Sequence, residues 1–177
     1  IVDAYSVSGT TKNRFIDLAL IDAAGNIDVI EIKKPFDDAL LCRTTYRDNY
    51  IPTKELSGSI MQVEKYLFHL SKWGAAGEKA LTQRYGSKLP SGMKIRITNP
   101  KAMIILGRDQ LLDGAEALAA SPQLDLEIIK RKYANLIDIL TYDDLLRRLN
   151  NIIESLRWRA AAQAVGEQTA EDEGNAL

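Results

Sequence analysis

Two carboxylates stand where a strand disfavours them. Asp17 lies inside Phe15-Ile16-Asp17-Leu18-Ala19-Leu20, and Glu31 lies inside Val29-Ile30-Glu31-Ile32. A charge within an apolar strand is costly unless it is paired or metal-bound. The apolar runs 14–21 and 27–33 flank Asp22-Ala23-Ala24-Gly25-Asn26, a short Gly-bearing connection that predicts a hairpin. A three-residue loop, Ala23-Ala24-Gly25, pairs Asp22 with Asn26, and counting back five on each side sets Asp17 opposite Glu31. Lys33, two residues on, shares the Glu31 face. A four-residue loop would slip the register by one and put Asp17 opposite Ile32 instead.

Facing carboxylates destabilise a hairpin. A divalent cation between them reverses that sign, and hard oxygen ligands of this kind suit Mg²⁺ or Mn²⁺. A lysine at the same edge can hold a nucleophilic water and stabilise charge that develops on a phosphoryl group. The spacing also fits a plainer arrangement, in which Lys33 forms an ion pair with Glu31 on a half-exposed edge.

The elements that must position these groups follow from periodicity. From Lys54 to Ser71, Leu56, Ile60, Val63, Leu67 and Leu70 recur at helical spacing, and a loop and short helix over 75–86 come next. Residues 36–53 are expected to be irregular with short helical turns. Residues 1–7, Met93–Ile97, Lys101–Leu106 and Leu136–Leu140 are expected as strands; Asp109–Ala120, a stretch near 122–133 and Tyr142–Arg159 as helices. The order predicts an α/β (α+β) fold with helices on the faces of a sheet. On the 54–71 helix, Gln62, Tyr66 and His69 share one stripe; Gln62 is a candidate to face the hairpin, Tyr66 a packing residue, His69 a surface or helix-end residue.

Three stretches in order resemble the PD-(D/E)XK nuclease superfamily, and within it the nuclease domain of the Shedu anti-phage defence family. They are Arg14–Asp22 with Ile30-Glu31-Ile32-Lys33-Lys34-Pro35; Glu55–Tyr66, which bears Gln62; and Ile104-Ile105-Leu106-Gly107-Arg108 with Ile137–Leu146. The resemblance spans about residues 1–150. It implies a restriction-endonuclease-like mixed central sheet flanked by helices. It implies Asp17, Glu31 and the Ile32 carbonyl as ligands of Mg²⁺ or Mn²⁺, Lys33 as the catalytic lysine and Gln62 as a residue lining the site. The implied activity is endonucleolytic hydrolysis of DNA, in the bacterial cytoplasm, by a homo-oligomer. The superfamily often carries a further acid on a helix before the first strand. This chain starts at that strand without a methionine and reads as a fragment with sequence missing upstream. A catalytically silent DNA-binding or oligomerisation domain of the same fold, or a restriction or repair nuclease, are the alternatives.

Composition sets the outer limits. The chain has 177 residues, 23 Lys+Arg against 24 Asp+Glu, and 46% hydrophobic residues, which excludes disordered, collagen-like and disulfide-dense classes. One cysteine, Cys42, permits no internal disulfide, and one histidine gives no support to a histidine metal cluster. No apolar stretch approaches a membrane helix, and no Gly-rich phosphate loop or other signature of an organic cofactor is present. Residues 1–159 form the expected domain, and 160–177 an acidic mobile tail. Setting aside the tail's Glu167, Glu171, Asp172 and Glu173 leaves 20 acids against 23 bases, a body of about +3. Lys12, Arg14, Arg43 and Arg47, with Lys34 and Lys54, are candidates for a phosphate-facing rim on DNA. Each fits a solvated polar face equally well.

Overall fold

The structure, a computed structural model, describes residues 16–36, 39–109 and 119–174, with side chains to 163. The expected strand at 1–7, Lys12, Arg14 and nearly all of the expected helix 109–120 lie outside the described residues. The chain divides into two units, Ile1–Tyr142 and Asp143–Leu177.

The first unit is built on a mixed four-stranded sheet. Strands β1 (Leu18–Ile21) and β2 (Ile27–Ile32) pair antiparallel, and β2, β5 (Ala102–Ile105) and β6 (Ile137–Leu140) pair in parallel, in the order β1-β2-β5-β6. The hairpin loop is the expected one. Asp22 N–H donates to Asn26 O and Gly25 N–H to Asp22 O, each at 3.0 Å. The Asp22 carboxylate accepts from the Ala24 and Asn26 N–H groups at 2.8 Å and from the Asn26 amide at 2.9 Å. Those bonds, that of the Asn26 side chain first, hold the Asp22 carboxyl below its ordinary pKa. Gly25 sits at φ +89°, where an added Cβ would also collide with Lys94 O.

The segment 36–53, expected to be irregular, instead holds a second hairpin, β3 (Leu41–Tyr46) and β4 (Asn49–Pro52). Its turn residues Arg47 (φ 50°) and Asp48 (φ 62°) are both left-handed. They have that geometry without the Asn-Gly signature that announces it in sequence. The Asn49 side-chain amide substitutes by donating to the Tyr46 and Arg47 carbonyls at 3.3 and 2.7 Å.

Helix α1 spans Lys54–Tyr85. Thr53 caps it, its hydroxyl accepting the Leu56 N–H at 3.1 Å. The expected loop near residue 74 is a single non-helical residue, Gly74 (φ 47°, ψ −134°), after which the helix resumes. Leu56, Ile60, Val63, Leu67 and Leu70 are all buried, as their spacing requires. They pack on Val29, Ala102, Ile104, Ile137 and Ile139 of the sheet. His69 lies mid-helix and partly buried, its ring 5.5 Å from that of Phe68.

Met93–Ile97 is not a strand. It makes one isolated bridge, Asn26 to Arg96, because side chains of α1 take its donors: Ile95 N–H goes to Thr82 Oγ1 (2.9 Å) and Ile97 N–H to Glu78 Oε1 (2.7 Å). Helix α2 (Ala120–Tyr133) reaches β4 through Asp125, which accepts the Tyr50 N–H at 2.8 Å. In the second unit, helix α3 runs from Tyr142, the last residue of the first unit, to Gly174. Among the described residues no helix is long and apolar enough to cross a membrane.

Gly25→Ala is expected to destabilise the protein by about 2–4 kcal/mol, from backbone strain plus the collision at Lys94. Urea denaturation measures it. A change below about 0.5 kcal/mol, the size of an ordinary surface substitution, would show that the loop is not held as described.

Candidate active site

The hairpin register decides which side chains meet. Leu18 pairs with Ile30 and Ala19 with Val29, so one step outward brings Asp17 opposite Glu31, as the loop length predicts. Along β2, Ile27 and Val29 are buried, and Glu31 shares their side of the sheet. Val29 packs against α1 residues, so Glu31 points toward the same helix. The carboxylate that ends this row is 1% exposed.

Three groups converge on it. Lys33 Nζ donates to Glu31 Oε1 at 2.6 Å and to Gln62 Oε1 at 3.1 Å. Gln62 Nε2 donates to the same Glu31 oxygen at 2.8 Å. Lysine, glutamine and glutamate thus form a closed triangle, with Gln62 brought in from the middle of α1. Asp17, exposed and one residue before β1, accepts the Ile32 N–H through Oδ2 at 2.8 Å, which ties the second acid to the end of β2.

Burial drives the Glu31 pKa up. The Lys33 hydrogen bond and charge oppose this, Asp17 adds to it, and the net value stays above the ordinary 4.5. Burial works to lower the Lys33 pKa, but its hydrogen bond to Glu31 and the attraction of Glu31, Asp17 and Glu55 outweigh it. The ammonium ends above its ordinary 10.5. Glu31 Oε2 is buried and has no hydrogen-bond partner among the described residues. Leaving such an atom unpaired costs about 1–3 kcal/mol, more for a charged group, so the oxygen is open to a ligand. An oxygen-seeking cation fits. The described residues hold no group of three or more acidic, histidine or cysteine side chains, so an ion held there would have few protein ligands and would take water or substrate oxygens besides.

Tyr66, expected as a packing residue, is buried and also part of this network. Its hydroxyl accepts from Gln62 Nε2 at 2.5 Å, which fixes which end of the amide faces Lys33. Burial, offset in part by that bond, raises its pKa. The four-residue spacing of Gln62 and Tyr66 on one stripe was the available signal. Tyr142 had none: it lies 109 residues from Lys33, yet its hydroxyl donates to the Lys33 carbonyl at 2.7 Å. Arg43 and Arg47 are exposed on the separate β3–β4 sheet, with the Arg47 guanidinium 5.5 Å from the Tyr46 ring. The Lys34 ammonium lies 5.5 Å from the Phe36 ring centroid.

Residues 1–146 match the family model of the Shedu protein SduA, C-terminal. The chain belongs to the Shedu SduA C-terminal family. Membership places it in Shedu anti-phage defence, and the matched span covers the hairpin, Gln62 and Tyr142 together. No curated protein matches the chain.

In metal-free buffer, Glu31 binds its proton more tightly in the folded Shedu chain than in the unfolded one. Its contribution to stability is therefore greatest below pH 4.5 and falls as pH rises toward its folded value. Denaturation of wild type and Glu31→Gln across this range is expected to show wild type losing stability relative to the variant. A gap that stays constant with pH would contradict the shift.

Proposed function

We propose that this chain is a metal-dependent DNA endonuclease domain of PD-(D/E)XK type, which hydrolyses phosphodiester bonds of phage or other double-stranded DNA. The observation that carries the reading is the Glu31–Lys33–Gln62 triangle with Glu31 Oε2 left unpartnered. In this reading Asp17, Glu31 through Oε2 and the Ile32 carbonyl hold Mg²⁺ or Mn²⁺. The bound ion supplies Lewis-acid polarisation of the scissile phosphate. Lys33 is held above its ordinary pKa, so at neutral pH it cannot take a proton from water. It acts instead as a fixed cationic donor to the attacking water and the phosphoryl oxygens. Gln62 keeps the ammonium and the carboxylate in place, so neither must reorganise during reaction. Exposed Arg43 and Arg47, with Lys12 and Arg14, contribute phosphate contacts.

The same reading takes the protein to act in the bacterial cytoplasm as a homo-oligomer. Leu146, Leu149, Ile153 and Leu156 alternate by three and four along α3, the spacing of a helix-pairing seam. One observation favours the silent-domain reading: the described residues hold no group of three or more acidic, histidine or cysteine side chains that could bind a metal. The two separate cleanly. For the nuclease, saturating Mn²⁺ raises Tm and Asp17→Ala removes the rise; a silent domain shows no rise in wild type.

Lys33→Ala is expected to lower cleavage of plasmid DNA by at least about 10²-fold, with duplex binding largely retained. Gel-based cleavage and fluorescence anisotropy measure the two. Equal cleavage by variant and wild type would refute the role of Lys33.

A further inference from the structure

Next to Lys33 the first unit has an open pocket of about 760 Å³, lined among others by Lys33, Lys34, Phe36, Ala39, Glu55 and Tyr142. That volume is within the range of small-molecule and nucleotide sites. The backbone that frames it is braced. Lys33 N–H donates to Ile105 O at 2.8 Å and Gly107 N–H to Lys34 O at 3.1 Å, while Ala39 N–H donates to Phe36 O at 3.2 Å. Tyr142 ties down the Lys33 carbonyl from a fourth direction.

On this fixed frame the Phe36 side chain is 56% exposed. An exposed phenyl ring that lines a pocket can serve a base as a stacking platform. Lys34 supplies a cation next to the ring. Glu55, in the first turn of α1, lines the same pocket and is near enough to Lys33 to influence its charge state. A carboxylate repels the phosphate backbone but accepts hydrogen bonds from the N–H edges of adenine, cytosine and guanine. Bases inside a duplex are covered by their neighbours, so only one that is out of the stack can lie on Phe36.

We propose that this pocket takes an unpaired nucleobase of the DNA substrate, stacked on Phe36 with its N–H edge toward Glu55. The proposal rests on the nuclease reading and refines it: the preferred substrate is DNA with a frayed, flapped or flipped nucleotide next to the scissile phosphate.

The test uses the full chain with Ca²⁺ in place of Mg²⁺ and two DNAs that carry 2-aminopurine, one in a single unpaired terminal nucleotide and one in a fully paired duplex. The expected result is about tenfold tighter binding of the unpaired DNA, with stacking-induced quenching of 2-aminopurine in that DNA alone. Phe36→Ala loses both effects, and Phe36→Tyr, which keeps the aromatic face, restores them. Equal affinity for the two DNAs, or preference and quenching that survive Phe36→Ala, overturns the proposal; if Lys33-dependent cleavage of duplex persists in Mg²⁺, the nuclease reading still stands. Failure to bind either DNA overturns both.

Discussion

A carboxylate buried at the end of a strand, with one oxygen held twice and the other held by nothing, is the constraint around which the rest of the first unit is arranged. Glu31 continues the inward row of Ile27 and Val29, so the packing that buries those residues against α1 also desolvates the acid. Lys33 and Gln62 both spend their bonds on Oε1 and leave Oε2 empty-handed. A structure selected for stability alone gains little from this arrangement, since desolvating a carboxylate and leaving one of its oxygens without a partner offsets what the Lys33 ion pair returns.

That constraint explains why so much of the chain is concerned with holding β2 in register. The Asp22–Asn26 loop sets which residue faces Glu31, and Gly25 lets the loop approach Lys94. Parallel pairing with β5 fixes the far edge of β2 and receives the Lys33 N–H. Helix α1 supplies Gln62, and Tyr66 one turn later orients its amide. Tyr142, two residues after β6, closes the arrangement at the Lys33 carbonyl. The contacts of Gln62, Tyr142 and β5 with β2 and Lys33 join segments distant in sequence, so the site exists only in the folded state.

The hairpin and the central helix were legible in the sequence because their signals are local. A three-residue loop closed by glycine fixes a register by counting, and the apolar spacing over 54–71 fixes a helix face. A sheet with helices on its faces followed from the order of these elements; its mixed pairing, and Gln62 as a residue beside Glu31 and Lys33, came from the resemblance to the nuclease superfamily. The β3–β4 hairpin was missed because its left-handed turn is made by Arg47 and Asp48, residues with no special claim on that geometry. Met93–Ile97 has strand-like composition, yet the Thr82 and Glu78 side chains satisfy its backbone. Tyr142 and Glu55 could not be found by spacing, because only the tertiary fold brings them to Lys33.

The central claim is that Glu31 Oε2 and Asp17 hold a divalent cation. Crystals of the protein soaked in Mn²⁺, with anomalous scattering recorded to locate the ion, test it most directly. The account predicts one anomalous peak bound by Glu31 Oε2 and an Asp17 oxygen at about 2.1–2.3 Å, with Lys33 and Gln62 still on Oε1. An absence of any peak at this position under saturating Mn²⁺, or a peak ligated without Glu31, would contradict it.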